Sequence, residues 1–94
     1  MSSIINMPVK AQLANIGAEV DRAIRFLNAN KLERAQARKE FALKLLEEAK
    51  NDPKNAHRKK EFEFLIEEFE DYMNGCKLYD TTAESISKEY NHYI

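Results

Sequence analysis

The spacing of the apolar residues constrains this chain most. Val9, Leu13, Ile16, Val20, Ile24 and Leu27 follow one another at steps of four and three. At 3.6 residues per turn that series falls on one face of an α-helix. It predicts a first helix from about residue 8 to residue 29. Asn6 is placed to cap it, and Pro8 suits the first turn, where a missing N–H costs nothing. Gly17 sits inside the pattern and costs about 1 kcal/mol against alanine. Met7, Ala11, Ala14 and Ala18 fall on the opposite face. Alanine there is explained by helix propensity alone, or by a second helix approaching closely.

Three further segments carry the same period. Asn30 followed by Glu33 resembles a capping box opening a second helix, about residues 31–51. Its apolar arc contains Leu32, Ala35, Phe41, Ala42, Leu43, Leu45, Leu46 and Ala49. That arc exceeds the roughly 100° stripe of an ordinary surface helix, so this helix is expected in the middle, touching neighbours on two sides. Asp52 before Pro53 reads as a cap and a first helical residue. The third helix is expected to reach about residue 74, with Phe62, Leu65, Ile66, Phe69, Tyr72 and Met73 on its apolar stripe. Gly75 reads as the left-handed residue that ends it. Thr81 with Glu84 signals a short fourth helix over about residues 82–92, using Ala83, Ile86, Tyr90 and Tyr93 on one face. Such a short helix is marginal alone and has to dock.

The expected fold is therefore all-α: an antiparallel bundle of three main helices plus a short C-terminal helix. Residues 1–7 read as a flexible N-terminal arm and residues 8–94 as a single helical domain. A chain of 94 residues buries only roughly 60–65% of its unfolded surface, so it gains from good packing or from pairing with another chain. Two glycines and two prolines are too few for a loop-rich or disordered chain. A formal net charge of −1 gives no general drive toward nucleic acid or an anionic membrane. No apolar run approaches the roughly 18 residues of a spanning segment. The start MSSIINMPVK lacks the charged-then-apolar pattern of a leader. A soluble cytoplasmic protein is the expectation.

One stretch runs against the usual rule. HRKKEFEFLIEEFED, residues 57–71, is basic first and acidic last, although the helix macrodipole favours the reverse. A short link should make helices two and three antiparallel. Folding the chain about Pro53 would bring Glu47 and Glu48 near Lys59 and Arg58. Arg38 and Lys39 would come near Glu68 and Glu67, and Arg34 near Asp71. Exposed pairs contribute only roughly 0–1 kcal/mol each, so they choose register more than they stabilise.

Few residues converge in patterns that carry chemistry. A four-helix dimetal site needs Glu-x-x-His twice with two more glutamates; Glu89 and His92 supply it once, and no metal or other cofactor is expected. His57 and Lys60 form His-x-x-Lys, which resembles the motif of histidine phosphotransfer domains, themselves small helical bundles. The resemblance implies a phosphate-accepting His57, with Lys60 neutralising the added charge. Imidazole is nucleophilic at neutral pH, so the chemistry is sound. That family places its histidine in mid-helix with small residues after it. Here His57 falls in the first turn, followed by Glu61, Phe62, Glu63 and Phe64. Lys54, Arg58 and Lys59, with Lys60, form a small anion patch, but nucleic acid needs a sustained basic surface. The lone Cys76 reads as a small helix-end hydrophobe. Tyr72, Tyr79, Tyr90 and Tyr93 read as docking residues with their hydroxyls at the water boundary.

The expected role is a non-catalytic protein-interaction module, bound to a protein partner or to itself as a homodimer, with no enzyme activity and no membrane. A phosphorelay protein using His57, or a small antitoxin-like regulatory partner of another enzyme, are the alternatives. Phe64 is the leading contact candidate, because it lies about 160–200° from Phe62, Ile66 and Phe69 on the wheel. It sits there among His57, Lys60, Glu61, Glu68 and Asp71. Ala11, Ala14 and Ala18 are the second candidate surface.

Overall fold

Helix-stopping junctions at residues 29–31 and 52–58 divide the chain. The computed structural model describes residues 8–75 together with Ser85 and Ile86. Helix α1 spans Val9–Asn28, α2 spans Leu32–Asn51 and α3 spans Lys59–Met73, with a 3-10 helix over Pro53–Arg58 leading into α3. The fold is all-α, and its helices pack on one another. None of the described helices is long and apolar enough to cross a membrane.

The first junction differs from the sequence reading. Asn30 does not cap α2: it adopts a left-handed conformation, φ 61°, and the residue before α2 is Lys31, without a side-chain cap. Asn30 instead ends α1. Its N–H donates to the Leu27 carbonyl at 3.0 Å, and the Lys31 N–H donates to the Phe26 carbonyl at 2.8 Å. These two bonds are the Schellman arrangement, which needs a left-handed residue that asparagine supplies more readily than most. An N-cap needs an extended backbone, so one asparagine cannot serve both ends.

The second junction follows the sequence in its first step. Asp52 is extended, and its carboxylate accepts from the Lys54 N–H, with Pro53 in the first turn. The chain then runs as 3-10 helix to Arg58 before relaxing into α3. Gly75 closes α3 at φ +106°, with its N–H on the Tyr72 carbonyl at 3.2 Å.

Helix α2 lies between the other two and packs on both, while α1 and α3 touch far less. Only residues 29–31 join α1 to α2, and Arg38 meets Glu19 at 3.2 Å, so the two helices run antiparallel. Helix α3 then runs beside α1 in the same direction. Gln12 near the start of α1 meets Asp52 and Asn55 before α3, and Asn28 at the end of α1 reaches Tyr72 near the end of α3.

The core gathers Leu13, Ile16, Val20, Ala23 and Ile24 of α1 with Ala42, Leu45, Leu46 and Ala49 of α2. Phe62, Leu65 and Phe69 of α3 close it, together with Ile86. Leu32 departs from its expected place in the α2 arc: it is the first residue of α2 and is 59% exposed. The N-terminal arm expected over residues 1–7 lies outside the described residues. So does the fourth helix, except for Ser85 and Ile86. Both are helical, and Ile86 is buried.

Candidate functional site

Two polar constellations and one exposed face are candidates. The first constellation is at the α2–α3 junction. Gln12 and Asn55 are almost fully buried there, with Asp52 nearly so. The Gln12 amide Nε2 donates to Asp52 Oδ2 at 2.9 Å. Asn55 Nδ2 donates to Gln12 Oε1 at 2.7 Å and to the Ala49 carbonyl at 2.9 Å. Lys54 Nζ completes the shell on Asp52 Oδ2 at 2.7 Å. The Lys54 ammonium, and after it the Gln12 amide, hold the Asp52 carboxyl below the ordinary aspartate value, against the opposing effect of burial. Each donor in this chain meets an acceptor, as buried polar groups require. The network locks the start of α1 to the end of α2.

The second constellation centres on Glu19, whose side chain is 10% exposed. Arg22 binds one carboxylate oxygen at 2.7 Å and Arg38 the other at 3.2 Å. This arrangement revises the expected α2–α3 pairing. Arg38 turns to α1 rather than to Glu68. Glu47 pairs with Lys50 of its own helix at 3.1 Å rather than with Lys59. Arg34 stands over the Phe26 ring, 5.9 Å from its centroid, rather than beside Asp71. Helix α2 packs more extensively on α1 than on α3, so its long cations meet α1 first.

Beside the junction, Lys44, Glu47, Glu48, Asn51, Asp52 and Pro53 line an open groove of about 530 Å³. Glu48 Oε2 is buried and accepts no hydrogen bond among the described residues. Among the described residues, no three histidine, cysteine, aspartate or glutamate side chains converge as metal ligands would.

The remaining sequence candidates separate. His57 and Lys60 are exposed, but His57 belongs to the 3-10 segment and Lys60 to α3. The His-x-x-Lys spacing therefore straddles two helix types. Lys54 is bound to Asp52, and Arg58 is partly buried beside Leu13, Glu61, Phe62 and Leu65. Of the anion patch, Lys54, Lys59 and Lys60 are exposed. Ala14 and Ala18 are exposed and Ala11 is partly buried. Phe64 is 40% exposed and, with Leu32, is one of two large exposed apolar residues among those described. Cys76, Tyr79, Glu89, Tyr90, His92 and Tyr93 lie outside the described residues.

Sequence reasoning passed over Gln12 and Asn55. A signal for Gln12 was present: it stands one turn before Ile16 and in line with Glu19 and Ala23, a second inward stripe beside the apolar one. Asn55 carries no comparable signal, since its burial depends on the 3-10 geometry after Pro53. Comparison of the chain with protein-family models, curated proteins and solved structures finds no match.

Proposed function

We propose that this protein is a non-catalytic helical interaction module and that α3 presents its contact face. The observation that carries the reading is the contrast between its polar and apolar groups. Inside the junction, the polar side chains are spent on one another. On α3, a phenylalanine stands at the surface among charges, as aromatic anchors of interfaces do. Single exposed apolar residues are common; what sets Phe64 apart is its isolation from the core stripe of its own helix.

Affinity purification of the wild-type chain beside Phe64→Glu tests the reading. The wild type is expected to retain a stoichiometric protein partner, or a second copy, that the variant loses while keeping its helical circular dichroism. Identical retention by both would remove α3 as the contact face. The phosphorelay alternative has its own assay. Incubation with acetyl phosphate is expected to leave His57 unmodified, and an acid-labile phosphohistidine at that position would overturn the non-catalytic reading.

A further inference from the structure

Arginine gathers at the seam between α1 and α2. Glu19, Arg22 and Phe26 stand three and four residues apart, on one face of α1. Arg34 and Arg38 stand four apart on α2, and the antiparallel course of the two helices sets them against that face. Arg22 Nη1 lies 2.7 Å from one Glu19 oxygen, and Arg38 Nη1 lies 3.2 Å from the other. Arg34 stands over the Phe26 ring and pairs with no carboxylate among the described residues. We propose that this seam binds an acidic segment of a protein partner, whose carboxylates reach Arg22, Arg34 and Arg38. The proposal goes beyond the α3 reading and uses no residue of α3.

The charge of the seam carries the inference. Three guanidiniums share one carboxylate, that of Glu19, so positive charge is in excess. The neighbouring pair of Arg25 and Asp21, 3.0 Å apart, balances itself and leaves that excess in place. Glu33 is exposed, but by the helical step it lies about 100° around α2 from Arg34. An arginine carries five N–H donors in a fixed fork. The Arg22 and Arg38 side chains remain 58% and 44% exposed, so each can hold Glu19 and still donate to a second carboxylate. The forks are also held before a partner arrives: Glu19 anchors two of them, and the Phe26 ring restrains the third. Groups ordered in advance lose less freedom on binding.

A carboxylate suits the seam because one already bridges two of its arginines. Phe26 is partly buried and adds an apolar edge that a peptide side chain can cover. Nucleic acid fits less well. A phosphate backbone brings charge at every nucleotide and needs a sustained basic surface, whereas Asp21 and Glu33 flank these arginines. Exposed ion pairs are individually weak and screened by salt, so the binding is weak and falls as salt rises.

Fluorescein-labelled decaglutamate, titrated with the chain at low ionic strength and read by anisotropy, tests the inference. The double variant Arg22→Gln/Arg34→Gln leaves Arg38 on Glu19, so the buried carboxylate keeps a partner and the fold is retained, which circular dichroism checks. It is expected to bind the probe at least about fivefold more weakly than the wild type. Arg34→Gln alone breaks no ion pair and is expected to weaken binding about twofold. Lys59→Gln/Lys60→Gln removes the same charge as the arginine double variant, from exposed positions of α3, and is expected to stay within about twofold of the wild type. Amide shifts of the isotope-labelled chain on adding decaglutamate are expected to centre on residues 19–26 and 34–38. Equal losses in the two double variants would reduce the effect to net charge and overturn the inference. So would a wild type that does not bind the probe, or shifts centred on another surface. Tighter binding of an oligothymidylate of equal charge would overturn it as well, by making the seam a nucleic-acid surface.

Discussion

Asp52 shows how much one side chain can be asked to do. Its carboxylate caps the 3-10 helix through the Lys54 N–H, receives the Gln12 amide and binds the Lys54 ammonium. The cap was legible in the sequence, because Asp-Pro is a strong local signal. The Gln12 bond was not, because it joins residues 40 apart and depends on where α1 arrives. The Lys54 ammonium and then the Gln12 amide hold the Asp52 carboxyl below the ordinary aspartate value, so its ionised form is favoured by folding. The stability it contributes is fully present above about pH 3.8 and is lost as pH falls through the lower folded value. Asp52→Asn is therefore expected to be less stable than the wild type at neutral pH. The gap between their urea midpoints should narrow as pH drops below that value. A gap independent of pH would show that the charge of Asp52 is not what the junction uses.

At the level of elements, the decisive feature is the size of the side chains between α1 and α2. Ala35, Ala42 and Ala49 recur every seven residues on α2, and all are buried. In an antiparallel register passing through Glu19 and Arg38, Ala23 lies within one residue of the level of Ala35, and Ile16 within one residue of the level of Ala42. Small residues at those levels let the two helices approach closely. Ala42→Leu adds three heavy atoms where none fit and is expected to cost about 1–3 kcal/mol by overpacking. Ala14→Leu, at an exposed position of α1, is expected to stay within about 0.5 kcal/mol of the wild type. Chemical denaturation of both variants checks the contrast, and equal effects would misplace the interface. The helices themselves were legible, since steps of three and four leave little choice of element. Their ends were less so. Asn30 suits both an N-cap and a left-handed C-terminal position, and local sequence does not rank the two. The charges were read least well. Long side chains pair according to which helices lie closest, and α2 lies closer to α1 than a fold about Pro53 alone implies.

At the level of the whole molecule, the core is completed from outside the three main helices. Ile86 is 1% exposed and belongs to the same cluster as Leu13, Leu46 and Phe62. A small domain has little apolar area to spare, so a residue beyond α3 contributes to the stability of the whole. Ile86→Ala is expected to cost about 2–5 kcal/mol, as deletion of a buried branched side chain does. A thermal midpoint equal to wild type would mean that this residue packs without stabilising. Phe64 is the counterpart, a large apolar residue left 40% exposed on α3. The account assigns it to association rather than to stability, and the most direct test compares Phe64→Glu with the wild type in two readouts at once. The account predicts an unchanged melting temperature for the isolated variant. It also predicts that the wild type retains a protein partner, or a second copy, that the variant loses. A lowered melting temperature with the partner retained as in the wild type would contradict it, placing Phe64 in the packing of its own chain.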